Sequence, residues 1–332
     1  TFQFYLREQQ IESFSGADRN RLQRIVEEHA NQEPPPPPCP YKHFPLREAE
    51  LVKYADMKWE MVVPKFRELN AKFTTPDTSA VALSDDELSS LDKLIKTIQD
   101  KGQYHNTTVS SNEMEVIAKL LTWPKDCIGP VVNLLRMAVF HPSVAKYYVD
   151  DSTKKQKEGG SSTDLISTLL NLADAAEKHV TAMLIIRTIV NMFARRVLGK
   201  YLEANRYEII LERVAELYKK FSDENFRLSI IALYINFAIF FSEDPKYFEQ
   251  AKVLLLTSVQ DALQQSPIDA KMTYRLAVIT GTLVYSDANA TELARDLDVL
   301  SVLETAAKDE KCRQDQPTQQ VKSELTKAIT GK

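Results

Sequence analysis

The side chains most often used in catalysis and metal binding are scattered along this chain of 332 residues. None of the five histidines belongs to an HExxH pair, and the three cysteines form neither a CxxC pair nor a zinc-type spacing. Cys127 and His141 lie fourteen residues apart without an evident third group to orient them as nucleophile and base. The sequence therefore predicts no catalytic residue, no metal site and no cofactor, and we expect the chain not to be an enzyme.

Three arginines stand out because each interrupts a long apolar stretch. Arg136 lies in NLLRMAVFHP, Arg187 in MLIIRTIVNMF and Arg275 in TYRLAVITGTL. A charge in such a place must be paired with a neighbouring helix, extend its head to solvent, or face a wet groove. One arginine would indicate a structural salt bridge, but three favour an anion-facing groove. Guanidinium groups bind carboxylates through two parallel hydrogen bonds, so the predicted ligand is acidic.

Three asparagines recur in the same kind of apolar stretch. Asn133, Asn191 and Asn236 each follow two apolar residues, at intervals of 58 and 45 residues. A buried amide needs hydrogen-bond partners. Two interpretations are open: the amides line a concave face and hold the backbone of an extended peptide, or they cap neighbouring structure.

The elements that must position these side chains are helices. From about residue 84 onwards, apolar residues recur at spacings of three and four, up to a C-terminal helix near residues 316–329. Helices that are apolar all round, such as LSIIALYINFAIFF, alternate with amphipathic ones, such as ILERVAELYKKF. This alternation and the interval of about 42–45 residues are typical of armadillo or HEAT repeats, so we predict an all-α solenoid. The segment 150–163, with KKQK followed by GGSS, is predicted to be a mobile surface loop.

The first 41 residues have a different pattern. Residues 1–30 alternate around a short polar turn and then become helical after Asp18, which predicts a β-hairpin followed by a capped helix. Residues 31–41 include five successive prolines and are predicted to be a stiff linker, with a ligand for a proline-reading domain as the alternative. Because the chain begins inside a structural pattern, we expect it to be a fragment.

Charge and composition exclude several classes of function. The formal net charge of −4 gives no general footprint for nucleic acid, and no uncharged apolar run reaches the length of a membrane span. The free cysteines suit a reducing compartment. We therefore expect a cytoplasmic protein, with the nucleus as a second location, and neither nucleic acid nor membrane as a partner.

The ordered succession of motifs from about residue 42 to residue 310 resembles the PUL domain of the phospholipase-activating and ubiquitin-fusion-degradation proteins. The segments that carry the resemblance are FPLREAELVKYADMKWEMVVPKFRELNAKF, PVVNLLRMAVFHPSV, LIIRTIVNMF, ALYINFAIFF and MTYRLAVITGTLVYSDANATELARDLDV. The resemblance implies an armadillo-like domain over residues 42–330. It also implies a basic groove that binds the acidic C-terminal tail of the valosin-containing AAA ATPase in ubiquitin-dependent degradation.

Carried onto this sequence, the groove arginines of the family fall on Arg136 and Arg275. The neighbours expected on the same face, and a tyrosine that could receive an aromatic side chain of the tail, complete the predicted peptide site: Arg187, Asn133, Asn191, Asn236 and Tyr274.

Residues 1–30 are similar to the end of a thioredoxin fold, with a terminal hairpin and then GAD before the last helix. The resemblance implies that a redox CxxC would lie upstream of residue 1, so no redox chemistry is assigned to this chain. The alternative function is that the helical body selects substrates for a thioredoxin-type thiol–disulfide oxidoreductase. A third interpretation is a scaffold solenoid with a different partner.

Overall fold

A computed structural model describes residues 2–6, 9–30, 39–73, 79–157, 164–243, 249–265 and 269–331 of the chain. The chain divides into two compact units, Thr1–Lys42 and His43–Lys332.

The first unit contains a two-stranded antiparallel hairpin and one helix. Strand β1 (Phe2–Leu6) pairs with β2 (Gln9–Phe14), and helix α1 spans Arg19–Ala30. The carboxylate of Asp18 accepts a hydrogen bond from the backbone N–H of Arg21 at 2.9 Å, which caps the helix. The predicted hairpin and capped helix are confirmed. Their assignment to a thioredoxin-like domain stays a prediction, and residues 31–38 of the proline run lie outside the described residues.

The second unit is built from helices, which confirms the all-α prediction. In chain order they are α2 (Trp59–Asn70), α3 (Asp85–Gln99), α4 (Ser111–Leu120), α5 (Ile128–Ala138), α6 (Pro142–Lys157), α7 (Leu165–Asp174), α8 (His179–Met192), α9 (Arg196–Asn205), α10 (Tyr207–Lys220), α11 (Glu224–Glu243), α12 (Glu249–Gln264), α13 (Ala270–Val284), α14 (Ala288–Asp296), α15 (Val299–Ala306), α16 (Glu310–Gln314) and α17 (Gln316–Thr330).

Local sequence signals set several helix starts. Ser84 and Glu87 form a capping box at the start of α3, and Ser110 with Glu113 does the same for α4. The predicted loop at 150–163 is wrong over its first half, because α6 continues through KKQK to Lys157. Its lysines lie at the C-terminal end of the helix, where positive charge is favourable. Residues 158–163 lie outside the described part of the chain.

Two rows of helices form the solenoid. The inner row is α5, α8, α11, α13 and α17, each packed on the next, and α7, α10, α12 and α15 pack against one another in an outer row. Helix α11 is long and apolar enough to cross a membrane, but 89% of its most apolar 18-residue stretch is buried inside the protein. It is the central core helix of the solenoid, which explains why its sequence is apolar on every side.

A segment whose sequence predicts neither a helix nor a strand lies across the inner row. Residues 43–58, which we call the strap, precede α2 and contain only one short 3-10 turn at Glu48–Glu50. The strap contacts side chains from all five inner helices.

Candidate functional site

The centre of the strap is held by two buried asparagines of the inner row. Asn236 of α11 accepts a hydrogen bond from the N–H of Val52 at 2.8 Å and donates to the carbonyl of Val52 at 3.0 Å. Asn191 of α8 pairs with Tyr54 in the same way, at 2.7 and 3.0 Å. Each amide therefore binds one residue of an extended chain through both of its backbone groups.

The same amides also cap the preceding inner helix. The Nδ2 of Asn191 donates to the carbonyl of Arg136, in the last turn of α5, at 2.8 Å. The Nδ2 of Asn236 donates to the carbonyl of Val190, near the end of α8, at 3.2 Å. Capping of neighbouring structure is therefore observed for both amides, whereas binding of a partner's peptide stays a prediction. The backbone that they bind belongs to the chain itself.

Arg136 continues this row of contacts one helix further. Its guanidinium donates to the carbonyl of Tyr54 and, at 2.7 Å, to the carbonyl of Asp56. It also donates to the Oδ1 of Asn133 at 3.0 and 2.8 Å, and its exposed fraction is only 5%. In this structure the hydrogen-bonding capacity of Arg136 is directed at the strap, with Asn133 fixing its orientation.

The N-terminal end of the strap is anchored on α13 and α17. The N–H of Leu46 donates to the hydroxyl of Thr282 at 3.0 Å, and the N–H of His43 donates to the carboxylate of Glu324 at 3.1 Å. The buried ring of Phe44 lies where a side chain of Gly281 would be: a Cβ there would approach the ring to 2.3 Å. Gly281 and Thr282 of the GTL motif are therefore residues that receive the strap.

The strap runs against the order of the repeats. Its contacts pass from α17 and α13 at residues 43–46 to α11 at Val52, α8 at Tyr54 and α5 at Asp56. The strap residues bound by Asn236, Asn191 and Arg136 are two positions apart, because alternate residues of an extended chain face the same side. The ladder formed by Asn236, Asn191 and Arg136 is thus occupied by the chain's own backbone.

A cavity of about 490 Å³ lies beside the strap, near α5 and α8. Four basic residues, Lys53, Lys58, Arg136 and Arg187, and one acidic residue, Asp56, line it. Since the whole chain has a net charge of −4, this cavity has the opposite sign. Its other walls include the apolar side chains Met57, Met61, Val62 and Leu184.

The two arginines of the cavity are close enough to influence each other. Burial and then the charge of Arg187 lower the pKa of Arg136 to about 10, while Asp56 acts in the opposite direction. Arg187 itself stacks over the ring of Tyr54, with 4.4 Å between its Cζ and the ring centroid, and its Nε donates to Ser229 at 2.9 Å. Bringing an anion to this cavity would relieve the repulsion between the two cations.

Arg275 and Tyr274 lie elsewhere on the inner row, on α13. The side chain of Arg275 is half-buried and makes no hydrogen bond or ion pair with any residue that the structure describes. The ring of Tyr274 packs edge-on against His43 at 5.8 Å. Burial, followed by the charges of Glu324 and Glu50, raises the pKa of Tyr274. The surroundings of this pair are therefore less basic than the cavity at Arg136 and Arg187.

The structure thus brings Arg136, Arg187 and Asn133 together at the cavity and places Asn191 and Asn236 under the strap. Tyr274 and Arg275 lie side by side on α13, three helix-to-helix steps away from Arg136 on α5. Sequence reasoning missed Lys53 and Lys58, together with the strap that carries them. The sequence signal for the strap was indirect. The buried amides and Arg136 needed hydrogen-bond partners, and the segment between the proline run and the first helix of the solenoid had no assigned structure.

The residues considered for catalysis have structural partners. The Nδ1 of His141 accepts the N–H of Ser143 at 3.3 Å and contacts its hydroxyl at 2.8 Å, and the Nε2 lies 3.1 Å from the hydroxyl of Thr107. Both nitrogens of this fully buried ring are thus engaged, and neither is left for Cys127. Within the described residues, no group of three His, Cys, Asp or Glu side chains could hold a metal ion.

Comparison with known proteins gives consistent relatives. A model of the PUL domain family matches residues 46–324. The chain is similar to the phospholipase A-2-activating protein of Xenopus laevis, with 28% identity over 284 residues that cover 83% of this chain and 33% of that protein. It is also similar to the ubiquitin fusion degradation protein 3 homolog of Caenorhabditis elegans, with 29% identity over 140 residues that cover 42% and 14%, respectively. The chain spans a third or less of the length of these relatives.

Proposed function

Because this chain belongs to the PUL domain family, we propose that it is a protein-interaction module that binds the acidic C-terminal tail of the valosin-containing AAA ATPase in ubiquitin-dependent protein degradation. PUL domains are interaction modules of ubiquitin-related pathways. The observation that supports the acidic ligand is the cavity beside the strap, where four basic residues surround one acidic residue in a chain of net negative charge.

Electrostatics explain why an acidic peptide suits this place. A carboxylate here gains charge-assisted hydrogen bonds, worth up to about 1.5–3 kcal/mol at the half-buried Arg187 and about 0–1 kcal/mol at the exposed Lys58. The apolar wall of Met61 and Leu184 would bury an apolar side chain of the same peptide. Complementary potential also speeds association and makes binding sensitive to salt.

Arg275 provides a second anchor in this proposal. It lies on α13, three inner helices from α5, and neighbouring helix axes are about 10 Å apart, so the separation from Arg136 is roughly 30 Å. An extended peptide rises about 3.3 Å per residue, so a tail of roughly nine or ten residues would reach both ends. A shorter tail would bind at the cavity alone.

The test is fluorescence anisotropy with a labelled peptide of the ATPase tail. The variants are Arg187→Gln and Arg275→Gln, each of which removes one charge, and the matched control is Lys308→Gln, an exposed cation outside the cavity. We expect saturable binding to the wild type and the control, and weakening of roughly tenfold for Arg187→Gln, which corresponds to about 1.4 kcal/mol. Absence of saturable binding, or unchanged affinity in both arginine variants, would contradict the proposal.

Arg136→Glu is a poor test of the same idea. Arg136 holds the carbonyls of Tyr54 and Asp56, so its replacement also loosens the strap. A loss of binding in that variant would not separate a direct contact from a disturbed groove.

A further inference from the structure

We infer that the strap is a permanent wall of the binding groove, and that an acidic peptide lies beside it against Lys53, Lys58 and Arg187 without displacing it. The inference rests on the proposed function for the choice of an acidic peptide. It differs from the usual expectation for an asparagine ladder, in which the ligand itself occupies the amides.

The ladder amides, Asn191 and Asn236, have no free proton and no exposed atom for a second peptide. Both protons of the Asn191 amide are used, on Tyr54 and on Arg136, and its oxygen accepts the N–H of Tyr54. Asn236 is used in the same way, and both side chains are fully buried. An amide offers two donors and one acceptor oxygen, so a peptide could reach these groups only by removing the strap.

The strap is also fixed at both ends. At its start, Phe44 is buried against Gly281 and the N–H of Leu46 is bonded to Thr282. At its end, the chain enters α2, which packs on α5 and buries Phe66. Displacement would expose an aromatic ring and leave the amides and carbonyls of the ladder unpaired, which is unfavourable for buried polar groups.

The strap presents unused groups next to the cavity. Lys53 and Lys58 have exposed side chains, and neither side chain has a hydrogen-bond or ion-pair partner among the described residues. The backbone N–H and carbonyl of Lys53 are likewise without a hydrogen-bond partner in the described part of the chain, because successive residues of an extended segment face opposite edges. An acidic peptide would find both cationic side chains and an open backbone edge at this point.

Charge complementarity therefore selects the occupant. Lys53, Lys58 and Arg187 line one cavity, and the single carboxylate there, Asp56, does not balance them. The structure assigns two residues of the strap, Lys53 and Lys58, to the ligand surface. The sequence did not indicate them, because the groove was predicted from side chains within the apolar helices.

The experiment combines hydrogen–deuterium exchange over residues 43–58 with binding measurements. Two peptides of equal length are used, the ATPase tail and an oligo-glutamate, each at saturation. We expect the strap amides to keep or increase their protection. We also expect the double variant Lys53→Gln, Lys58→Gln to bind each peptide at least tenfold more weakly than the wild type, while Lys308→Gln binds normally.

The outcomes separate the two proposals. Loss of protection over the strap on saturation would overturn the inference, because the peptide would then replace the strap. Normal binding by the double lysine variant would also overturn it. If only oligo-glutamate binds, the ATPase tail is the wrong partner and the inference is judged on oligo-glutamate; if neither peptide binds, both proposals fail.

Discussion

Replacing Asn191 with alanine removes three hydrogen bonds at the centre of the strap. Two of them join the amide to the N–H and carbonyl of Tyr54, and the third caps the carbonyl of Arg136. The carbonyl of Tyr54 keeps its bond from the guanidinium of Arg136, so the groups left without a partner are the Tyr54 N–H and the Arg136 carbonyl.

The magnitude follows from these two groups. An unpaired buried donor or acceptor costs about 1–3 kcal/mol, so Asn191→Ala should lower the free energy of unfolding by about 2–6 kcal/mol. The control is Asn112→Ala, at an exposed position near the start of α4. Alanine has the higher helix propensity, so this control should change stability by no more than about 0.5 kcal/mol.

The assay is urea unfolding followed by circular dichroism, with hydrogen exchange over residues 43–58 as a local readout. We expect Asn191→Ala to shift the midpoint downwards and to increase exchange over the strap. If its stability loss equalled that of Asn112→Ala and strap exchange stayed the same, the ladder would not hold the strap in solution.

Three further changes test other parts of the structure. Gly281→Ala places a Cβ in the ring of Phe44 and should destabilise the unit by about 1–3 kcal/mol, a loss that Phe44→Ala in the same chain should partly relieve in a double-mutant cycle of urea midpoints. Lys252→Ala leaves the buried carboxylate of Asp287 without its ion-pair partner and should cost about 3–5 kcal/mol in the same assay, whereas a loss below about 1 kcal/mol would show that the pair contributes little. Burial and then Arg195 lower the pKa of His141, so the unfolded chain binds more protons below about pH 6.5. The free energy of unfolding should therefore decrease as the pH is lowered below that value. A H141Q variant whose free energy of unfolding changes with pH at the same slope would contradict this.

The helical body could be predicted from the sequence because its signals are local. Apolar spacing marked the core helices, and Ser84 with Glu87 marked the start of α3. The loop prediction failed over residues 150–157 of α6 because charged residues suit an exposed helix end as well as a loop.

The strap could not be predicted because it has no period of its own. Its residues are positioned by Asn191 and Asn236, which lie 137 and 184 residues away in the sequence. The sequence indicated that the amides needed partners, but a backbone partner has no side-chain signature. The environment of Arg275 was equally hidden, since the nearby charges of Glu50 and Glu324 come from distant parts of the chain.

The most direct test of the account is calorimetric titration of the wild-type chain with two forms of the ATPase tail peptide. One form is natural, and in the other every Asp and Glu is replaced by Asn or Gln. We expect saturable binding of the acidic form that weakens with added salt, and at least a tenfold loss of affinity for the neutral form. Equal affinities for the two peptides, or no binding of the acidic one, would contradict it.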